Sequence, residues 1–293
     1  MVKRFFADRL KLSHTPNWLL MQNILTYLLL SMGAIIAIFP FFWMISTSLM
    51  SLGEAQGTRL IPSALHFENY ANAWQEAKFS LYMWNSTRIT LITLAGELIV
   101  SILAAYAFAR IKFPGRELIF AALLSTLMIP IMVTIIPNFL TVTWLGRIGP
   151  IKWINNWPAL TVPFMGNIFS IFLLRQFFIQ IPDELFDSAQ IDGAGHLRFL
   201  WSVVLPLSKA PLMVVIILSF IYTWNALAWP LLVTNSPDWR PVAVGLYSFI
   251  GEAGQMINLM MAGAFVVIIP ILVLYFFTQK QFTESISRSG LKG

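Results

Sequence analysis

Glu97, in the run Leu94-Ala95-Gly96-Glu97-Leu98-Ile99-Val100, is a single carboxyl inside an otherwise uncharged apolar stretch. Such a group costs roughly 2.5–3.5 kcal/mol at mid-bilayer, so it must face the protein interior or take up a proton. Three roles meet that demand: a hydrogen-bonded side chain packed on a partner helix, a station in a substrate path, or a proton carrier. A proton relay needs a partner base, and the run supplies none. Tyr222, Trp224, Asn225 and Trp229 form a second set. Aromatic rings offer flat apolar faces for stacking and amides bind polar groups. A seven-residue step also puts Tyr222 and Trp229 on one face of a continuous helix. Helix packing with an interfacial tryptophan accounts for the same residues. The third set is the stretch 187–211, DSAQIDGAGHLRFLWSVVLPLSKAP, where acids, glycines and prolines gather at a break between two apolar runs.

Other chemistries have no residues to carry them. There is no cysteine, and three scattered histidines lack metal-ligand spacing. The sequence holds no GxxxxGK[ST], HExxH or GxSxG pattern. No catalytic and no metal-ligating residue is expected, which leaves transport, channel activity or a membrane scaffold.

The elements that must position these groups are membrane helices. Of 293 residues 58% are apolar and 11% charged, with a mean hydropathy of +0.74, against about half and a quarter in soluble domains. The apolar residues fall in long blocks, and about 20 residues span a bilayer core. Six spans are expected: Ile24–Met50, Thr87–Ala109, Leu118–Leu140, Pro158–Leu174, Pro211–Val233 and Leu259–Phe277. Prolines 40, 130, 137, 163, 230 and 270 predict kinks. The first span is too long for a cleaved signal, and Pro40-Phe41-Phe42-Trp43 is no cleavage site. Of the 19 Lys and Arg, 13 fall at the termini and in the loops after spans two and four, and 6 on the other side. The positive-inside rule then puts both termini and the 187–211 stretch in the cytoplasm. The net charge of +6 is thus a topology signal rather than a nucleic-acid footprint. Trp74, Trp84, Trp153, Trp157 and Trp239 in the outer loops suit an interfacial aromatic belt.

Within the third set, Pro182 fits the first turn of a helix, with Asp183, Glu184 and Asp187 near its positive end. Leu185, Phe186 and Ala189 supply an apolar patch. Gly193 and Gly195 permit the positive φ of a tight reversal. Leu197, Leu200, Trp201 and Val204 recur at helical spacing, and Pro206 and Pro211 end that segment. The expected unit is a helix–turn–helix at the membrane surface, polar outside and apolar beneath. It is either an interfacial pair packed under the bundle or a rigid knob for a cytoplasmic partner.

The order D-S-A-x-x-D-G-A with a later L-P resembles the EAA loop of ABC importer permeases, whose pattern is E-A-A-x-x-x-G with D-G-A in the sugar-importing branch. Asp187, Ser188 and Ala189 hold the E-A-A places, Asp192, Gly193 and Ala194 follow, and Leu205-Pro206 closes the loop. Asp187 replaces the usual Glu and Ser188 an Ala, while Leu200 sits between Phe199 and Trp201 where the family often has Phe. AYAFARIKFPGR (105–116), WNALAWPLLVTNSPDWRPVAVGL (224–246) and the end Gly290-Leu291-Lys292-Gly293 are similar to maltose-type permeases.

The resemblance implies an all-α polytopic membrane protein of the inner or plasma membrane, with six transmembrane helices and both termini cytoplasmic. Residues 1–23 would be a cytoplasmic segment and 24–293 the transmembrane domain, with the coupling-helix (EAA) loop at about 182–211. Asp187, Ser188, Ala189, Asp192, Gly193, Ala194, Arg198 and Leu200 would couple to an ATPase. The substrate path would use Tyr222, Trp224, Asn225, Trp229 and Glu97. The implied partners are a second related permease, two ATP-binding-cassette ATPase subunits, an extracytoplasmic solute-binding protein and membrane lipid, with no nucleic acid. This chain would bind no cofactor, and ATP and Mg would be used by the ATPases. The substrate would be a carbohydrate, a class that includes maltose-like oligosaccharides and glycerol phosphate. The alternatives are an ABC permease for a non-sugar solute, an ion-coupled carrier, which would need more buried ionisable groups, and a scaffold, which leaves the cytoplasmic knob unexplained.

Overall fold

The computed structural model describes residues 17–251 and 254–289. The N-terminal residues 1–16 and the Gly290–Gly293 end lie outside them. In chain order the helices are α1 (Asn17–Ser48), α2 (Leu52–Ala55), α3 (Glu68–Glu76), α4 (Phe79–Arg110), α5 (Arg116–Ser125), α6 (Ile131–Ile148), α7 (Trp157–Thr161) and α8 (Ile168–Ile179). There follow α9 (Asp183–Ile191), α10 (His196–Leu207), α11 (Lys209–Trp224), α12 (Ala228–Val233), α13 (Val242–Tyr247) and α14 (Ile257–Ser289). Among the described residues the only strands are a two-residue antiparallel pair, β1 (Ile250–Gly251) and β2 (Gly254–Gln255), before α14.

Among the described residues, five helical stretches are long and apolar enough to cross a membrane: Met21–Ser48, Phe79–Arg110, Ile131–Ile148, Trp157–Ile179 and Ile257–Gln279. A sixth is counted if α10 and α11, bent by 82° at Ser208, act as one span. Three of the expected spans take another form. The third is cut at Pro130, because a residue before proline is driven out of the α region. Ile129 is accordingly extended, with φ −83° and ψ 118°, and a new helix starts at Ile131 and runs on to Ile148. The fourth is broken at Met165–Asn167, after a 3₁₀ turn at Val162–Phe164, and continues to Ile179. The fifth stops at Trp224 and resumes at Ala228. Pro40, Pro137 and Pro270 stay inside helices.

Packing gathers these elements around α4. Apolar surface gains little by leaving lipid for protein, so tight van der Waals fit and hydrogen bonds hold spans together. At the end of the bundle that carries α9 and α10, Tyr106, Leu174, Phe178, Phe199, Leu200 and Val204 form one buried cluster. At the other end, Phe79 and Tyr82 of α4 pack with Trp224, Val242 and Leu259. A third cluster joins Ile89, Val142, Leu160, Trp229 and Val233. By contrast α1 leaves its side chains from Met21 to Phe42 exposed. Such a surface suits lipid or another apolar helix.

Candidate functional site

The first candidate site is the α9–α10 unit. Pro182 is the N-cap rather than a helical residue, and Asp183 and Glu184 occupy the first turn, where carboxylates meet the positive end of the helix. The helix closes in a Schellman motif: Gly193 N–H donates to Gln190 O at 2.9 Å and Ala194 N–H to Ala189 O at 2.8 Å. Gly193 has φ +74°, which glycine adopts without the Cβ penalty. Gly195, expected to share that role, has φ −82° and ψ 176° and caps α10 in ordinary extended geometry. Pro206 sits in the last turn of α10, after a π-helical turn at Leu200–Val204, and Pro211 in the first turns of α11.

Aromatic contacts clamp the unit to the bundle. Phe186 stacks on His196 at 4.8 Å and meets Phe199 edge-on at 5.0 Å. The Tyr106 hydroxyl and His196 Nδ1 share a hydrogen bond of 2.9 Å. Arg110, at the end of α4, donates to Phe178 O at 3.1 Å, to Ile181 O and to the Asp183 carboxylate. Arg175 holds both Glu117 oxygens at 2.9 and 3.0 Å, donates to Phe108 O and lies 4.0 Å over the Phe120 ring. Arg116 and then Arg175 hold the Glu117 carboxyl below its ordinary range. Sequence reasoning counted Arg110 and Arg175 only as topology charges. Their place at the ends of spans, a turn from polar loop residues, was the available signal.

The predicted coupling residues divide in two. Asp187, Ser188, Asp192, Gly193 and Arg198 are exposed, while Ala189 and Ala194 are half-buried. Leu200 is fully buried in the core cluster, so it anchors α10 rather than facing outward. Leu197 and Trp201, expected underneath, are each 66% exposed, and Ile191 is 88% exposed. The buried stripe runs through Phe199, Leu200 and Val204 instead, leaving the 197/201 pair on its flank. An apolar rim therefore surrounds the acidic turn.

The second candidate site is a cavity of about 440 Å³. Thr134 and Asn138 of α6, Phe164 of the fourth-span break, Tyr222, Asn225 and Trp229 line it, within a mostly apolar wall. Tyr222 and Trp229 do not share a helix, because the chain breaks between them. They meet through Phe164, whose ring lies 6.2 Å from Tyr222 and 5.9 Å from Trp229. Trp229 Nε1 donates to Ala159 O at 2.8 Å and fixes the indole. Asn225 Nδ2 donates to Ile221 O at 2.8 Å at the end of α11. Trp224 points elsewhere: it stacks on Phe220 at 5.3 Å and donates to Val267 O at 3.1 Å. Thr134 and Asn138 were missed, since nothing in the apolar run around Pro137 marks which face meets the cavity.

Glu97 does not line the cavity. It is 2% exposed, and Oε1 accepts from Ser170 Oγ of α8 at 2.7 Å and from Ser219 Oγ of α11 at 2.6 Å. It is thus a buried carboxyl hydrogen-bonded to two neighbouring helices. The far end of α4 is stitched to the 234–242 loop. Asn85 Nδ2 donates to Pro237 O and Arg240 O, Ser86 Oγ accepts from Val242 N–H, and Arg88 lies 3.6 Å over Trp239. Trp239 is therefore half-buried under a cation, Trp153 and Trp157 are half-buried too, and Trp74 and Trp84 are exposed.

Residues 97–281 match the family model described as binding-protein-dependent transport system inner membrane component. The sn-glycerol-3-phosphate transport system permease protein UgpE of Yersinia enterocolitica is 32% identical over 276 residues, 90% of this chain and 95% of that protein. The protein of the same name from Brucella abortus is 31% identical over 278 residues, 90% and 96% of the two chains. A chain of a bacterial ABC transporter involved in the import of the acidic polysaccharide alginate superposes with TM-score 0.79 at 25% identity, covering 91% of this chain and 98% of its own. A chain from the alginate transporter in complex with its alginate pentasaccharide-bound periplasmic protein shares the fold, with TM-score 0.61 at 17% identity over 87% and 92%. By this model match and these full-length relatives, the chain belongs to the family of binding-protein-dependent transport system inner membrane components.

Proposed function

We propose that this chain is the permease subunit of an ATP-driven importer for a carbohydrate or glycerol-phosphate-like solute. It works beside a second permease, above two ATPase subunits, and receives solute from an extracytoplasmic binding protein. The observation that carries the reading is the α9–α10 unit, a short stiff element bolted to α4 and α8 yet presenting an exposed acidic turn and an apolar rim. That is the form a lever needs: movement imposed on the knob passes into long helices rather than dissipating in a loop. Asp187, Ser188, Ala189, Asp192, Gly193, Ala194 and Arg198 form the face offered to an ATPase, with Ile191, Leu197 and Trp201 around it, and Leu200 holds the face to the bundle.

Residues 24–293 act as one transmembrane domain of six spans, with α11 and α12 together as the fifth and both termini in the cytoplasm. At 16 residues, α11 rises only about 24 Å, short of the ~30 Å core, so α12 completes the crossing. The exposed α1 faces lipid or the second permease. The cavity beside the fifth-span break, with Tyr222, Asn225 and Trp229, is the part of the solute path on this chain. Its aromatic wall and amides suit sugar faces and hydroxyls.

Reconstitution with the partner subunits tests the reading. In Gly193→Pro the φ +74° is unattainable, since proline is locked near −65°. Uptake and ATPase association are both expected to be lost. Wild-type uptake with the ATPases still bound would reject the lever.

A further inference from the structure

The fourth span is broken inside the bundle, and the break is held by a residue outside both candidate sites. Helical structure stops after Phe164, eight residues into the 23-residue span; Asn167 is extended, with φ −90° and ψ 110°, and α8 restarts at Ile168. The Asn167 side chain caps the new helix, its Oδ1 accepting from Ser170 N–H at 3.2 Å. Ser170, in the first turn of α8, then donates its hydroxyl to Glu97, as does Ser219 of α11. One carboxyl oxygen thus ties the restart of the fourth span to the second and fifth spans. Because a helix start is the positive end of its dipole, a carboxyl is well placed there.

What lies on either side of this tie gives it consequence. Toward one end, α8 runs as a continuous helix through Ile171, Leu174 and Phe178 into the cluster that holds Phe199, Leu200 and Val204 of α10. Toward the other, Phe164 is one residue before the break and forms the ring between Tyr222 and Trp229 in the cavity. Along the same face of α4, Thr90, Thr93 and Ser101 are fully buried hydroxyls with no hydrogen-bond partner. Several threonines of the third span instead bond a carbonyl three or four residues back, as Thr134, Thr141 and Thr143 do. The hydroxyls beside Glu97 thus keep unused donor and acceptor capacity on the same face of α4. A Ser170 hydroxyl leaving Glu97 would therefore not be stranded among apolar atoms, the condition that makes breaking a buried hydrogen bond expensive.

We propose that Glu97 is a positioning residue of the transport cycle: a latch that holds the fourth-span hinge and, through it, sets Phe164 in the cavity wall relative to the α8–α10 lever. This rests on the importer reading for its functional half and on geometry alone for its structural half. The latch works by hydrogen-bond acceptance, so Glu97→Gln, which keeps an acceptor oxygen, should retain it. Glu97→Ala and the Ser170→Ala/Ser219→Ala double variant should lose it.

Two measurements test the two halves. In the full chain in lipid nanodiscs, amide hydrogen exchange over residues 165–171 should speed several-fold in the alanine variants and not in Glu97→Gln. Unchanged exchange in both alanine variants would overturn the latch, whatever the assembly does. In the reconstituted importer, the alanine variants should raise the ATP hydrolysed per solute imported several-fold at unchanged subunit association, and Glu97→Gln should restore the wild-type ratio. A wild-type ratio in both alanine variants, or a Glu97→Gln variant as uncoupled as Glu97→Ala, overturns the inference. Faster exchange together with a wild-type assembly that imports nothing would reject the importer reading and leave the hinge latch standing.

Discussion

Glu54 shows how much a few residues can fix locally. Ser51 and Glu54 form a capping box around α2, and Glu54 also accepts from the Ser63 amide at 3.1 Å and from the Ser63 hydroxyl. The Ser63 hydroxyl first, then the Ser51 and Ser63 amides, lower its pKa from 4.5 to about 2. A lowered carboxyl stabilises the folded loop fully above its ordinary value, and that support fades as pH falls from 4.5 toward 2. Amide protection over residues 51–63, taken relative to intrinsic exchange at each pH, should therefore fall across that window in the wild type. In Glu54→Gln protection should be lower already at neutral pH and nearly flat in pH. In the cavity, Trp229→Ala removes the ring that Phe164 meets and strands the Ala159 carbonyl, an acceptor worth about 1–3 kcal/mol when left unpaired. Uptake should fall by tenfold or more. Asn138→Ala should lower the apparent solute affinity with ATPase association intact, as measured by solute-dependent uptake.

Breaks and close approaches set the behaviour of whole elements. The α9–α10 turn needs a left-handed residue, and a Cβ at Gly193 would meet nothing within 4 Å. Gly193→Ala therefore costs only the backbone penalty, about 1–2 kcal/mol, and Gly193→Asn less, since asparagine visits that region. Association with the ATPase should follow the order Gly, Asn, Ala, Pro. At the other end, a Cβ at Gly263 of α14 would lie 2.7 Å from the Phe79 ring and 2.8 Å from Leu246. Phe79 is 1% exposed and cannot swing clear. Gly263→Ala gains about 1 kcal/mol of helix propensity but overpacks by roughly 1–3 kcal/mol, so thermal unfolding should shift downward. The sequence marks Gly193 as a turn, but only the packing of α4 against α14 shows that Gly263 has no room for a Cβ.

On the scale of the whole molecule the chain offers a direct topology test, because it has no cysteine of its own. Cysteine at Ser188 should react with a membrane-impermeant maleimide only from the cytoplasmic side, and at Ser236 only from outside. The reverse pattern would invert the orientation. By itself the sequence determined the class: long uncharged blocks must be helices in lipid, where every backbone group has to be paired within its own segment. It also determined the α9–α10 unit, whose signals are local: a proline at the start, acids in the first turn and a glycine at the reversal. The tertiary structure decided what depends on distant partners. Leu200 and Trp201 are neighbours, yet one is buried and the other exposed, because the stripe through Phe199 and Val204 meets α8. Tyr222 and Trp229 reach one cavity through a chain break and Phe164 rather than along one helix. Glu97 finds its serines 73 and 122 residues away. Helical periodicity constrains a residue against its own turn, and says nothing of which neighbouring helix supplies the other half of a hydrogen bond.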